Sequence, residues 1–461
     1  LMPLDAAYFP YEVTDMSCTT HEVIRQAVAP YDEWEGRMDV LCKSDDELQL
    51  EEYSNIHEMY CAYHGYEIDA LIAKEAELCG ISSEMRTRPF SSLSSGERTR
   101  ALITALFLRT NAFVILDEPT NHLDIEGRQM LAEYLRNKSG FLVVSHDRRF
   151  LDDCTDHIVA LEKETVEVRQ GNYSSWKYNK DLFDTFEREK NCHLKKEITH
   201  MKQVARARRD WSAHTEKSKK SAYDSGYMGH LAAKMMKRAR SAKHRIEKAI
   251  EEKETLFVNR ERERRLKLDK APHAPDLIAA FYNVSCGYDG RTLFRNVSCE
   301  IHFGDRIAVS GPNGSGKTTL LRVLCGEMQP LDGTVYLPAH TKIVRAYQEP
   351  IWKQGNLEEH IRLSCIDAVR FRTILGSLGV SGEVFERPLE CFSAGELKKI
   401  ELCRSLIEPA HLVIWDEPLN YIDIMSREQI EKLLLHDMPT IIFVEHDSYF
   451  IDAVATKRIF L

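Results

Sequence analysis

The sequence predicts an α/β protein in which one parallel-sheet unit occurs twice in tandem, with a long helical segment between the copies. Three observations carry this. A short apolar strand at Arg306–Ser310 runs into a glycine-rich loop and then a helix over 320–324. Residues 91–161 and 390–461 can be laid over each other motif by motif. Residues 176–270 match neither copy and carry apolar side chains at heptad-like steps.

The repeat is read from three motifs. Leu93, Ser94, Ser95, Gly96 and Glu97 face Phe392, Ser393, Ala394, Gly395 and Glu396. Asp117, Glu118 and Pro119 face Asp416, Glu417 and Pro418, and Ser145, His146 and Asp147 face Glu445, His446 and Asp447. The spacing is kept: 21 residues from Gly96 to Asp117 and from Gly395 to Asp416, then 28 from Glu118 to His146 and 29 from Glu417 to His446. Three motifs in the same order, twice, are a tandem duplication. Apolar runs at 113–116, Phe141–Val144, 412–415 and 440–444 have the length of buried parallel strands. Amphipathic stretches between them fit covering helices, and right-handed crossovers then build a layered domain from each copy.

A chain of 461 residues has room for two or three domains. Its net charge of −10 is unevenly spread, with eighteen Lys/Arg against seven Asp/Glu over 187–248. A basic segment on an acidic body suits a polyanion, as it also suits a solvated helix pair. The twelve cysteines are scattered without a C-x-x-C pair, which reads as reduced thiols and not as a disulfide or zinc framework. No run of 18 apolar residues is present, and the start does not read as a signal peptide.

In chain order, the first copy occupies 1–175. It carries about 38 residues more than the second, because 85 residues separate Tyr11 from Gly96 against 47 between Gln348 and Gly395. The excess lies at about 30–80, is acidic and is rich in helix formers. The linker follows at 176–270. Leu194, Ile198, Met201 and Ala205, then Leu231, Met235, Ala239, Ala242, Ile246 and Ala249, suggest an antiparallel helical hairpin broken at 212–230 by Gly226 and Gly229. Its first helix, over 176–211, is expected to be about 50 Å long at about 1.5 Å per residue, and to project. The second copy fills 271–461.

The loop in the second copy is Gly311, Pro312, Asn313, Gly314, Ser315, Gly316, Lys317, Thr318 and Thr319, a Gly-x4-Gly-Lys-Thr pattern between strand and helix. Glycines there let backbone N–H groups converge on phosphates, and the helix N-terminus adds a positive dipole end. Lys317 then reaches the β- and γ-phosphates and Thr318 a magnesium ion.

Taken together, these motifs resemble the ATP-binding-cassette proteins of the ABC-F class: two ABC-type nucleotide-binding domains, the first N-terminally incomplete, joined by a long α-helical hairpin linker. The resemblance implies ATP and Mg2+ as ligands and an ATP hydrolase activity. Asp416 and Asp117 are the metal-orienting carboxylates, with Thr318 and Gln348 beside the metal. Glu417 and Glu118 polarise the attacking water, His446 and His146 are switch histidines, and Tyr288 stacks on adenine. The segments at 94–97 and 393–396 are signature loops, each completing the site of the other half at a helix N-terminus. Ser95, Ala394 and Phe392 depart from the common signature.

No phosphate loop precedes Gly96, and Tyr11 stands where a Q-loop glutamine belongs. The sequence is therefore expected to begin inside the first cassette, the alternative being a degenerate one, and a half-cassette is expected to expose sheet edges and apolar surface. The linker tip carries Lys217, Lys219, Lys220, Tyr223 and Tyr227, with Lys234, Lys237 and Arg238 on the returning arm. Cations and stackable rings are what RNA recognition uses. The resemblance places this linker at the ribosomal exit-tRNA site, against large-subunit rRNA and tRNA, in a cytoplasmic monomer with no membrane partner whose cassettes pair within one chain. Residues 227–237 and 416–423 look most like resistance members that protect ribosomes against lincosamides, pleuromutilins and group A streptogramins. A housekeeping translation factor, a transporter's ATPase subunit and a DNA-structure-binding cassette protein are the rivals.

Overall fold

A computed structural model of the protein describes residues 5–43, 46–121, 123–161, 165–218, 244, 275–288, 291–380 and 382–461. The chain divides into two compact units, Leu1–His157 with Arg264–Leu461, and Ile158–Glu263.

The first unit holds both copies. In the second copy a five-stranded, all-parallel sheet has the order β10-β11-β12-β8-β13, made of β10 (Ile343–Ala346), β11 (Leu412–Asp416), β12 (Ile441–Val444), β8 (Arg306–Ser310) and β13 (Lys457–Phe460). Every residue of β11 and β12 is buried, as helices on both faces of a parallel sheet require. An antiparallel sheet of β6 (Leu277–Tyr288), β7 (Arg291–His302) and β9 (Asp332–Tyr336) lies beside it, with β6 in the centre. Its apolar residues Phe281, Val284 and Ile301 share a core with Ile307, Val309 and Leu320 of the phosphate-loop region.

The first copy shows the same register in part. β1 (Asp5–Phe9), β2 (Ala112–Asp117) and β3 (Phe141–Val144) are parallel in that order. Phe9 stands opposite Leu116 and Ala346 opposite Trp415, so Tyr11 occupies the position that Gln348 holds in the second copy. β12 is flanked by β8, but the matching edge of β3 has no strand on it among the described residues, and Leu142 and Val144 are 42 % and 46 % exposed. The sheet edge at β3 is therefore open among the described residues, as the sequence predicts for this copy.

The acidic insertion folds as three helices, α2 (Tyr31–Leu41), α3 (Glu47–Ala62) and α4 (Ile68–Leu78). Tyr31, Tyr60, Ile68 and Ile72 enter the core of the first copy, and an edge-on Tyr31–Tyr60 ring pair joins α2 to α3. In the second unit, β4 (His157–Leu161) and β5 (Val166–Gln170) pair, and α9 (Tyr173–Ser218) follows as a continuous helix of 46 residues. It is longer than the 176–211 expectation, about 69 Å at 1.5 Å per residue, because nothing in the sequence before Gly226 breaks it. Lys217 lies in its last turn; Lys219, Lys220, Tyr223, Tyr227, Lys234, Lys237 and Arg238 lie outside the described residues.

Candidate active site

The second copy brings its sequence-predicted residues together. β8 ends at the loop 311–316, and α10 (Lys317–Leu324) starts from Gly316, whose φ of 98° is the left-handed conformation that glycine adopts without strain. A Cβ there would come within 2.9 Å of the Phe294 ring. Lys317 is 7 % exposed and donates to the carbonyls of Gly311 and Pro312, both at 2.9 Å. Burial lowers its ammonium pKa, against the attraction of Glu417, Asp124 and Asp416. The Ser315 hydroxyl is buried with no hydrogen-bond partner among the described residues, which leaves a polar atom in the loop for an incoming oxyanion. The half-exposed Tyr288 ends β6, with its hydroxyl 3.4 Å from that of Thr319.

Asp416 is the last residue of β11 and is fully buried. Burial raises its pKa, opposed by Arg345, and its Oδ1 accepts from the Thr318 hydroxyl at 3.2 Å. Glu417 turns out of the strand with φ 49°, its N–H donating to Val444 O at 3.1 Å. Its Oε2 accepts from Gln348 Nε2 at 3.0 Å and Asn420 Nδ2 at 2.7 Å, and its Oε1 is 3.5 Å from His446 Nε2. Burial works to raise the Glu417 carboxyl, but His446, Lys317 and Lys398 outweigh it and hold it below its usual value. A carboxylate, two side-chain amides that donate to it and a histidine thus cluster at the end of β11. The hydroxyl and carboxylate oxygens of Thr318 and Asp416, with the Gln348 amide nearby, are hard donors of the kind magnesium takes.

The first copy repeats this geometry with differences. Glu118 has φ 48° and donates to Val144 O at 2.8 Å, and its Oε1 is 3.4 Å from His146 Nε2. Burial pushes Glu118 up to about 7 and pulls His146 down. Asp117 accepts from the Tyr8 hydroxyl at 2.9 Å, while Asp416 faces Arg345. The Tyr11 ring, in the glutamine position, lies under the Arg109 guanidinium at 5.6 Å.

Both signature serines are N-caps. Ser94 begins α6 (Ser95–Leu108) and Ser393 begins α13 (Ala394–Ile407), each in a capping box with Glu97 or Glu396. The two glutamates therefore turn back onto the serine N–H groups, at 2.7 and 2.9 Å, and shape the helix start. In the second signature a Cβ on Gly395 would sit 2.7 Å from Tyr421 O, so only glycine fits.

Two aspartates were not singled out from the sequence. Asp124 caps α7 (Ile125–Arg136), and its Oδ2 accepts the Asn313 N–H of the phosphate loop at 3.3 Å, across 189 residues. Asp423 caps α14 (Ile424–Asp437) and pairs with Lys399 at 2.5 Å. The available signal was an aspartate seven residues after both Asp117 and Asp416. The Asp124 contact joins the first copy to the phosphate loop of the second. Further links between the copies are Arg427 to His146 O at 3.0 Å and a buried Arg148–Glu431 pair.

Residues 294–420 match the family described as "ABC transporter". The ribosome protection protein VmlR of Bacillus subtilis is 31% identical over 382 residues, covering 81% of this chain and 69% of that protein. The chain belongs to the ABC-F family. Other ABC-F relatives are the energy-dependent translational throttle protein EttA of Mycobacterium tuberculosis, 28% identical over 89% of this chain and 70% of its own length, and ABC transporter F family member 2 of Arabidopsis thaliana, 26% identical over 85% and 56%. The chain thus spans little more than half of some ABC-F relatives. Among solved structures, RNase-L Inhibitor (TM-score 0.52, 21% identity, 92% of this chain and 68% of that one) and a model of ribosome-bound archaeal Pelota and ABCE1 (0.56, 20%, 99% and 62%) share the tandem fold. Among the described residues no helix is long and apolar enough to cross a membrane.

Proposed function

We propose that the protein is an ATPase that binds Mg2+ and ATP between its two cassettes and uses closure and opening to set a basic linker on the ribosome. The division into cassettes at 1–175 and 271–461 with a linker at 176–270 belongs to this reading. The observation that carries it is the contact of Asp124 with the Asn313 N–H, which supports a site made by both copies.

Phosphoryl transfer asks mainly for positioning and charge neutralisation. Lys317, now folded onto two loop carbonyls, supplies the cation for the β- and γ-phosphates, and Ser315 with the loop N–H groups supplies hydrogen bonds. Thr318 and Asp416 would hold magnesium, whose charge would neutralise phosphate oxygens. Glu417, ionised and fixed by Gln348 and Asn420, orients the attacking water and takes its proton. His446 stands 3.5 Å from the other oxygen of Glu417, where it would contact the γ-phosphate. The Ser94 N-cap would offer its helix end to the same phosphate. ATP moves the cassettes only as far as it binds the closed state more tightly than the open one.

The names of the relatives, ribosome protection protein and translational throttle protein, support a ribosomal partner and hence a cytoplasmic place of action. Co-sedimentation with ribosomes tests this. The protein is expected to enter the ribosomal fraction with a non-hydrolysable ATP analogue and to leave it without nucleotide. Glu417→Gln should retain ATP and lower turnover by about 10²-fold or more. A chain that binds ATP yet never sediments with ribosomes would remove the ribosomal part of the reading. The match to the throttle protein over 89% of this chain favours a second reading, a housekeeping translation factor instead of a resistance protein. Expression in a drug-sensitive host, with lincosamide, pleuromutilin and streptogramin A tolerance as readout, separates the two.

A further inference from the structure

The two copies hold their metal carboxylates by different chemistry. Tyr8 stands opposite Ile115 and Arg345 opposite Ile414, so the two residues are equivalent. Tyr8 is a neutral donor to Asp117 Oδ2 at 2.9 Å. Arg345 is buried, grips both carboxylate oxygens of Glu327 at 2.8 Å through Nη1, and reaches Asp416 Oδ2 at 3.4 Å through Nη2. Its guanidinium lies 4.5 Å from the centre of the Tyr347 ring, next to Gln348. Its carbonyl accepts from Arg404 Nη2 at 2.5 Å. One buried cation therefore ties the end of the phosphate-loop helix, the metal carboxylate and the glutamine loop.

We propose that Arg345 is a positioning residue for the magnesium–nucleotide complex: it fixes the orientation of Asp416 and, through its charge, weakens the affinity of this site for divalent cation. The inference rests on the reading of Lys317, Thr318 and Asp416 as an ATP–magnesium site. Asp416 divides its oxygens between the Thr318 hydroxyl and the guanidinium. A cation at that distance competes for the carboxylate with any metal that Thr318 and Asp416 hold, in a buried place where water screens little. Glu327 offsets part of the charge but is 40% exposed, so its share is screened more. The Tyr8 arrangement shows that a hydroxyl reaches the same carboxylate oxygen without the charge.

The test compares the unmutated chain with Arg345→Tyr and Arg345→Leu. The readouts are magnesium titration of ATP binding, followed with a fluorescent ATP analogue, and the separate kcat and KM for ATP at saturating magnesium. Arg345→Tyr should lower the half-saturating magnesium concentration about tenfold, as expected for losing one partly screened unit charge, and keep kcat within a few-fold. Arg345→Leu loses the charge and the donor together, so its magnesium midpoint should fall as well, while its kcat drops at least tenfold with KM little changed. Rescue of kcat by tyrosine over leucine is what a merely structural role would not produce. An unchanged magnesium midpoint in Arg345→Tyr, in a chain that binds ATP, overturns the inference alone. Absence of any magnesium-dependent ATP binding in the unmutated chain overturns the site reading and the inference with it.

Discussion

Glu445 shows how one residue changes between the copies. The first copy places a hydroxyl pair here, Thr120 and Ser145 at 3.0 Å; the second has Leu419 and Glu445, with the carboxylate accepting the Leu419 N–H at 2.7 Å and the His446 N–H at 3.2 Å. Burial raises this carboxyl from 4.5 to about 7. Below pH 4.5 it is protonated in both the folded and unfolded states and costs nothing. Between 4.5 and 7 the unfolded chain has released the proton while the folded chain keeps it, so stability falls as pH rises. Glu445→Gln removes this titration. The unfolding free energy of the unmutated protein, relative to Glu445→Gln, should therefore decline by up to about 3 kcal/mol across that window. Denaturant melts of both proteins at matched pH check it, and parallel pH curves would show that the carboxyl is not so shifted.

At the scale of elements, the strands and the loop that the sequence predicted recur with little change. β8 matches Arg306–Ser310 residue for residue, because a short apolar run bounded by charge and glycine leaves a buried parallel strand little choice of ends. What the sequence concealed is how α13 carries the glutamine loop. Lys398 donates to the carbonyls of Tyr347 and Gln348 at 3.0 and 2.9 Å, and Glu401 accepts the Tyr347 N–H at 3.2 Å. These side chains lie about fifty residues from their partners, and no periodicity announces a polar face turned inward. The matching positions of α6 are Thr99 and Leu102, so the scaffold belongs to the second copy alone. Because α13 also begins at Ser393, one helix joins the signature of one site to the glutamine of the other. Lys398→Met keeps the length of the side chain and leaves two carbonyls without their donor. It should cost about 1–3 kcal/mol of stability and lower kcat more than it raises KM, since Gln348 and through it Glu417 lose their support. Steady-state kinetics with a thermal melt decide this; a variant with lost stability and unaltered kcat would assign Lys398 to folding only.

The whole molecule is two copies that no longer obey their own symmetry. The duplication, the insertion and the long helix were legible because each is a property of local pattern or of repeated spacing. The contact between the copies was not, because it pairs residues 283 positions apart that differ between the repeats. Arg148 forks onto both oxygens of Glu431 and lies 3.6 Å from Asp447, all three buried, and it packs 4.3 Å from the centre of the half-exposed Tyr449 ring. Arg427 adds bonds to Asp447 at 3.1 Å and to His146 O at 3.0 Å. At the symmetry-related place the residues are Ser448 and Ala132, which line a cavity that also reaches His446. One flank is held by a buried charge pair between the copies; on the other, Arg128 pairs with Asp147 inside the first copy at 2.7 Å, and Arg149 donates to the Ser448 hydroxyl at 3.4 Å. A buried ion pair contributes little net stability when intact, yet removing one partner strands the other charge and costs about 3–5 kcal/mol. Glu431→Ala and Arg148→Ser should each destabilise on that scale. The double variant, which copies Ala132 and Ser448 onto this flank, should recover a large part of the loss. Urea unfolding followed by tryptophan fluorescence, with the buried Trp415 among the reporters, measures all four proteins. Strict additivity of the two single losses would mean that the pair does not couple the copies, and that they are held together by the apolar surfaces around it.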